Sequence, residues 1–402
     1  MGCVSPSRDV VSLSLAGALG RVLRRQHLVP CPAGSDLVEV AGDLAGLHAT
    51  RPTTPPLSLL ARLPGFRRKA FEHALCEERS LVRLKSMRQT VFVVPRACAA
   101  LVLAATRRPL ETSCRRYLAS NGVCAEACER LAPRITEALR GRELTVAELR
   151  ATAGGGSDVA AVVGLLCDRG VLVRTRPARG WRDAANRYAL MAEWLPEVDA
   201  EAIPEQEAVA WLVRAYLVGY GPVSERDVAW WTGLPMKSVR GAFAILGPEL
   251  VNARVDGLEG PLPMLRASVP ACGDAELAAG TALTFLPVLD PYVMGYKERT
   301  RYLDPGIADR VFDRGGNGTA TIVLDGRVVG VWDIAERPFH AVHVHLFTAM
   351  DDALLARVHS EAHRVGRFFF GTEATVQHVS AMQPLTGRPT GAYAPFRGNR
   401  AP

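Results

Sequence analysis

The feature that most limits the fold is a supersecondary pattern that occurs twice. Thr145-Val146-Ala147-Glu148 has the spacing of a capping box, in which a hydroxyl and a carboxylate three residues on satisfy the free N–H groups of a helix start. Gly154 to Gly156 then break that helix, and Ser157 and Asp158 can cap a second one running to Asp168. Gly170 ends it. Val171 to Thr175 and Asn186 to Leu190 read as two strands around a polar, basic tip at Arg179 to Asp183. Helix, turn, helix and two-stranded hairpin is the order of a winged helix. The order returns downstream. Val209 to Val218 is helical, Ser224-Glu225-Arg226-Asp227 is a second capping box, Gly233 is the break, and Pro235 opens the helix Lys237 to Leu246. Leu250 to Val255 and Leu262 to Ala267 flank Asp256-Gly257 as the hairpin. Two copies of one unit imply a modular chain.

Upstream, apolar spacing predicts helices over Asp9 to Gln26, Leu37 to Leu47, Leu57 to Arg62 and Arg67 to Glu78. A proline-rich turn, Thr50-Arg51-Pro52-Thr53-Thr54-Pro55-Pro56, separates the second from the third, and Arg88 to Val94 reads as a strand. Beyond residue 275 the pattern changes to strands at Ala282 to Pro287, Thr319 to Leu324, Arg327 to Ile334 and Phe339 to Phe347. Asp325-Gly326 is a hairpin signal, and Asp351 to Arg364 is a closing helix. The expected class is α+β: three tandem winged-helix units and a small C-terminal antiparallel β-barrel. The expected limits are 1–100, 101–200 and 201–275 for the three units, 276–382 for the barrel and closing helix, and 383–402 for a loose tail.

Hydrophobic residues at 48% and charged residues at 22% are the balance of a globular protein, which excludes whole-chain disorder. The net charge of +7 is carried almost wholly by arginine, whose forked guanidinium suits phosphate. Codon bias alone can enrich arginine, so charge supports a polyanion partner without deciding it. No apolar run is long enough to span a bilayer, and the stretch from Val10 to Leu19 lacks a basic leader, so a cytoplasmic protein is expected. Nine scattered cysteines argue against a disulfide framework. Cys124 and Cys128, His343 and His345, and His359 and His363 lack the partners a metal site needs, so no metal and no cofactor is expected.

Four stretches together resemble a known family: Gly46-Leu-His-Ala-Thr50, Leu81-Val-Arg-Leu-Lys-Ser-Met-Arg-Gln-Thr90, Phe285-Leu-Pro-Val-Leu-Asp-Pro-Tyr-Val-Met-Gly-Tyr-Lys-Glu-Arg299 and Leu324-Asp-Gly-Arg-Val-Val-Gly-Val-Trp332. In order and spacing they are similar to the AlkZ/YcaQ-like winged-helix DNA glycosylases. The resemblance implies tandem winged-helix units wrapped on duplex DNA and excision of alkylated purines without a lyase step, in some relatives for self-resistance to a DNA-alkylating antibiotic. The family's catalytic Gln-x-Gln or Gln-x-Asp falls here on His48-Ala49-Thr50, a departure at both side chains.

A cationic alkylpurine leaves readily, and the catalyst need only hold a water near C1′ and stabilise the sugar cation. Neutral His48 can accept a hydrogen bond from that water and act as base, and Thr50 can orient either. Neither supplies the negative charge of an aspartate, so the expected substrate is a bulky, already cationic adduct such as an N7-alkylguanine in double-stranded DNA. The plain structural alternative is that His48 caps a helix end and Thr50 starts a turn. The DNA-binding set expected beside them is Arg51, Arg83, Lys85, Arg88, Gln89, Thr90, Arg176, Arg179, Tyr292, Tyr296, Lys297, Arg299, Arg301 and Arg327, with tyrosines stacking on bases and cations on phosphate. The expected form is a monomer. The competing functional class is a winged-helix DNA-binding protein without catalysis, such as a transcription regulator.

Overall fold

The computed structural model describes residues 10–29, 36–120, 122–269, 280, 282–391 and 393–396. Asp9, at the start of the first expected helix, and Cys3, Cys31 and Cys272 lie outside the described residues.

The chain opens with strand β1 (Val10–Leu13) and helix α1 (Leu15–Arg25), where a single helix was expected from Asp9. Ser14 is the reason: its side chain accepts from the Gly17 N–H and starts the helix there. Helix α2 (Leu37–Asp43) stops four residues short of the expected Leu47, because Ala45 and Gly46 turn left-handed and release Leu47–His48 as strand β2. Helix α3 (Thr54–Leu60) begins inside the expected turn. Pro55 and Pro56 occupy its first turn, where no N–H is needed. After α4 (Arg68–Cys76) come β3 (Leu81–Lys85), which the sequence reading missed, and β4 (Val91–Pro95). The expected strand start at Arg88 is displaced: Arg88 and Gln89 have φ of 51° and 60° and form the tip between β3 and β4.

Helices α5 (Ala99–Ser120) and α6 (Ala125–Leu139) lead to the short strand β5 (Leu144–Thr145). The first repeated unit follows as α7 (Val146–Ala153), α8 (Asp158–Asp168), β6 (Leu172–Pro177) and β7 (Asn186–Leu190), with the Thr145/Glu148 capping box formed. Helices α9 (Met191–Trp194) and α10 (Glu205–Tyr220) lead to the second: α11 (Glu225–Thr232), α12 (Met236–Ile245), β8 (Leu250–Val255) and β9 (Leu262–Leu265). The Ser224/Asp227 capping box is also formed. The hairpins do not stand alone. β3 meets β6 at Arg83 and Arg174, making a six-stranded sheet β2-β4-β3-β6-β7-β5, and β1 adds in parallel to β8.

The C-terminal part holds β10 (Leu283–Leu286), the short α13 (Ala308–Val311), β11 (Thr321–Leu324), β12 (Arg327–Ala335), β13 (Ala341–Leu346), α14 (Asp352–Phe370) and β14 (Thr375–His378). These strands form an open five-stranded sheet in the order β10-β11-β12-β13-β14. It does not close into the expected barrel: β14 joins in parallel at one edge, β10 is the other edge, and α14 packs against the sheet. In the segment after Gln383, residues 384–391 and 393–396 are described and make polar contacts. Asp313 Oδ2 accepts from the Gly391 N–H at 2.7 Å, and the Arg388 guanidinium donates to the Ala394 and Pro395 carbonyls at 2.6 and 3.1 Å.

The largest apolar core runs from α1 through α5 and α10 to Tyr292, Tyr296 and Tyr302, and takes in the second repeated unit, whereas α7 and α8 pack in a core of their own and α14 packs with the C-terminal sheet in another. The Asp290 carboxylate, fully buried after β10, accepts from Arg62 and from Ser58 on α3. No helix among the described residues is long and apolar enough to cross a membrane.

Candidate active site

The position of His48 is built by its neighbours. Gly46 has φ of +113° and passes over β4 so closely that an added Cβ would lie 3.0 Å from a Val94 methyl and 3.3 Å from the Val93 carbonyl. Only glycine fits there. Leu47 and His48 then pair with Val93 and Phe92, and the Ala49 N–H donates to the Val91 carbonyl at 2.6 Å. Because side chains alternate along a strand, His48 shares its face with Phe92, their ring centres 5.0 Å apart. Phe92 in turn meets the edge of Trp231 on α11.

His48 is 5% exposed, and its Nδ1 is buried without a hydrogen-bond partner. Burial, and secondly the charge of Arg88, pull its pKa down to about 3. The imidazole is therefore neutral at physiological pH. A base so weak removes little of a proton near neutrality. It remains able to hold a water by hydrogen bonding. Thr50, two residues on, is exposed at the rim.

Above this strand lies a cationic, aromatic cluster. The Arg88 guanidinium lies over Trp230 at 4.0 Å from the ring centre, and Arg299 lies 5.7 Å from the same ring and 3.4 Å from Phe312. The left-handed Arg88 backbone is cradled by Gly233, whose added Cβ would fall 2.9 Å from the Arg88 nitrogen. Burial first, then Arg299, lower the pKa of Arg88 to about 10. No hydrogen bond satisfies the Arg88 guanidinium among the described residues, and Arg299 Nε is buried without a partner. Arg51 packs over the Tyr393 ring at 4.9 Å, and the Asp313 carboxylate acts on Arg88. An incomplete set of donors around a cleft is what a phosphate would complete.

Sequence reasoning found Arg51, Arg88 and Arg299 but missed Trp230, Phe312, Asp313 and Tyr393. Trp230 stands beside a second tryptophan in a helical run, and Tyr393 lies in a Pro- and Gly-rich tail, so neither carries a local signal.

Other members of the expected set lie elsewhere. Tyr292 and Tyr296 are fully buried and donate to the Gly326 and Tyr220 carbonyls at 2.6 and 2.9 Å, so neither ring is available to stack on a base. Arg301 is 4% exposed at the side chain, donates to the Pro222 carbonyl and lies near Asp227, and is a structural cation. Arg83 is 6% exposed and donates to Asn186 Oδ1 at 2.7 Å, and Lys85 is paired with the buried Asp168 at 2.8 Å. Thr90 is half-buried and donates to the Met87 carbonyl. Gln89, Lys297 and Arg327 are exposed, with Gln89 Oε1 accepting from Ser113. Arg176 pairs with Glu143 and Arg179 with Asp183 at the surface.

The β6–β7 tip is docked: Trp181 meets Phe368 and Phe369 edge-on, and Arg182 pairs with Glu336. The Asp325-Gly326 turn packs on Leu19 and Tyr292. His343, His345 and His363 are engaged with Gln377, Val379 and Ala374, and among the described residues no group of three metal-ligating side chains converges.

Comparison with known proteins converges on one assignment. A family model described as AlkZ-like DNA glycosylase matches residues 41–368. The chain is 28% identical to an interstrand DNA cross-link repair glycosylase of Streptomyces sahachiroi, covering 78% of this chain and 86% of that protein. The solved structure of the Streptomyces sahachiroi DNA glycosylase AlkZ superposes with a TM-score of 0.75 at 23% identity, covering 92% of this chain and all of that one. The match runs through the His48 strand, the β3–β4 pair and strands β10 to β13 of the C-terminal sheet, and on that extent the chain belongs to the AlkZ-like DNA glycosylase family.

Proposed function

We propose that this glycosylase hydrolyses the N-glycosidic bond of bulky, cationic alkylpurines in duplex DNA, N7-alkylguanine adducts first among them, acting as a monomer in the cytoplasm and without a lyase step. The observation that carries the reading is the neutral His48, enclosed at the end of β2 beside Arg88, whose guanidinium makes no hydrogen bond among the described residues. In the reaction the C1′–N9 bond breaks and its electron pair neutralises the cationic purine. Water adds to C1′ and its proton passes to solvent. A ring with a pKa of about 3 can accept a hydrogen bond from that water but can do little of the deprotonation. Chemistry of this kind suits only a base that departs unaided, so neutral bases such as uracil are not substrates.

At 5% exposure the imidazole meets a substrate only if something above it moves. Arg88 is the group placed to do so: among the described residues it has no hydrogen bond to lose, and a DNA phosphate offers a better partner than Trp230. Arg51, Arg299, Gln89, Arg176, Arg179, Lys297 and Arg327 complete the proposed DNA-facing set. The two capped helix pairs with hairpins, and residues 1–100 before them, are read as three tandem winged-helix units. The cross-link repair activity named for the Streptomyces relative supports bulky lesions. Self-resistance to a DNA-alkylating product is the role this reading assigns.

The test is incubation with a duplex carrying one N7-alkylguanine. Release of the free adducted base, leaving an abasic site and no strand cut, is expected. Binding to undamaged and adducted duplex alike, with no release above spontaneous depurination, contradicts the proposal.

A further inference from the structure

A cavity of about 400 Å³ opens directly beside the motif loop. It is lined by Arg51, Pro52 and Thr53, by Asp333 at the end of β12, by the paired Arg182 and Glu336, and by Tyr393. Trp332 and Phe369 add aromatic surface. Tyr393 comes from beyond residue 368, where the family match ends. It is fixed by the Thr319 hydroxyl on its carbonyl and by the Gly391 N–H on Asp313. The chain thus closes its motif cleft with a segment outside the matched region.

The chemistry of this cavity is selective. An aromatic face carries partial negative charge and attracts a planar cation, and carboxylates nearby strengthen the attraction. The Tyr393 ring already holds such a cation, the Arg51 guanidinium, 4.9 Å from its centre. Arg51 is exposed and sits next to Thr50, so it can leave the ring for a phosphate. A positively charged purine is the planar cation that would replace it.

We propose that this cavity is the base-recognition pocket and that it takes a cationic alkylpurine stacked on Tyr393, with Asp333 favouring the charged over the neutral base. The proposal rests on the glycosylase reading above and adds the residue that reads charge, a role separate from that of His48.

Binding of 7-methylguanosine and guanosine to the full chain, followed by titration calorimetry, tests it without requiring catalysis. The cationic nucleoside is expected to bind about 10-fold more tightly than the neutral one, from one cation–π contact in a partly dry site. Tyr393→Leu, which keeps an apolar side chain to anchor the segment, should abolish that preference, and Tyr393→Phe, which keeps the ring, should restore it. Equal binding of the two nucleosides, no measurable binding of either, or a preference that survives Tyr393→Leu overturns the proposal. If the wild-type chain shows the preference yet excises no adduct, the catalytic reading fails and the pocket stands. If it excises adducts without the preference, the pocket fails alone.

Discussion

Arg62 and Asp290 face each other side-on, Nη1 and Nη2 each 2.8 Å from a separate carboxylate oxygen, with both side chains fully enclosed. Ser58 adds a third bond to Asp290 at 2.7 Å, and Arg62 Nε reaches the Gln26 carbonyl at 2.9 Å. The pair fastens the helix after the motif loop to the C-terminal part. Asp290→Ala leaves a guanidinium buried without its counter-charge and should cost about 3–5 kcal/mol in denaturant unfolding. A loss below about 1 kcal/mol would show that the pair does not hold these parts together.

The ionisation of His48 links stability to pH. Its pKa is about 3 in the folded chain against 6.5 for the free side chain, so between those values the unfolded chain binds the extra proton. The contribution is therefore complete above pH 6.5 and is lost progressively as pH falls toward 3. Unfolding measured at pH 7 and pH 5 should show wild type losing about 2 kcal/mol more than His48→Gln. Equal losses would mean that the imidazole is more solvated than the fold implies.

Gly46 fixes where His48 begins. A methyl there meets Val94 and the β4 backbone and also forces an alanine to φ of +113°. Gly46→Ala should destabilise the chain by about 1–3 kcal/mol, read by thermal unfolding. An unchanged melting temperature would show that the β2–β4 contact is slack.

Arg88 should answer to salt where the buried tyrosines do not. Arg88→Ala is expected to lower the slope of log affinity against log salt by about 1 on any duplex, as for one lost phosphate contact. Tyr296→Phe should leave that slope alone and reduce stability by about 1–2 kcal/mol, through the orphaned Tyr220 carbonyl. An unchanged slope in Arg88→Ala would remove it from the DNA-facing set.

The repeated units were legible because their signals are local. Both capping boxes, the glycine breaks at Gly154 and Gly233 and both hairpins lie within a few residues of the groups they satisfy. The open C-terminal sheet was not, because closure depends on which edges pair, and the parallel β13–β14 contact joins residues more than thirty apart. The same limit explains the tyrosines. Spacing shows that Tyr292 and Tyr296 follow an apolar strand, but only tertiary packing shows the Gly326 and Tyr220 carbonyls that hold them inside. His48 was found by its place in a motif, and its burial followed from Phe92 and Arg88, forty residues away in sequence. Tyr393 had no readable signal, since its meaning comes entirely from Arg51 across the fold.

The most direct measurement compares His48→Ala with wild type in single-turnover excision and in equilibrium binding on the same duplex bearing one N7-alkylguanine. The account predicts that excision slows at least about 100-fold, as for a lost water-positioning group, while affinity changes less than about threefold. Excision at the wild-type rate, or equal losses of rate and affinity, would contradict the assignment of the reaction to His48.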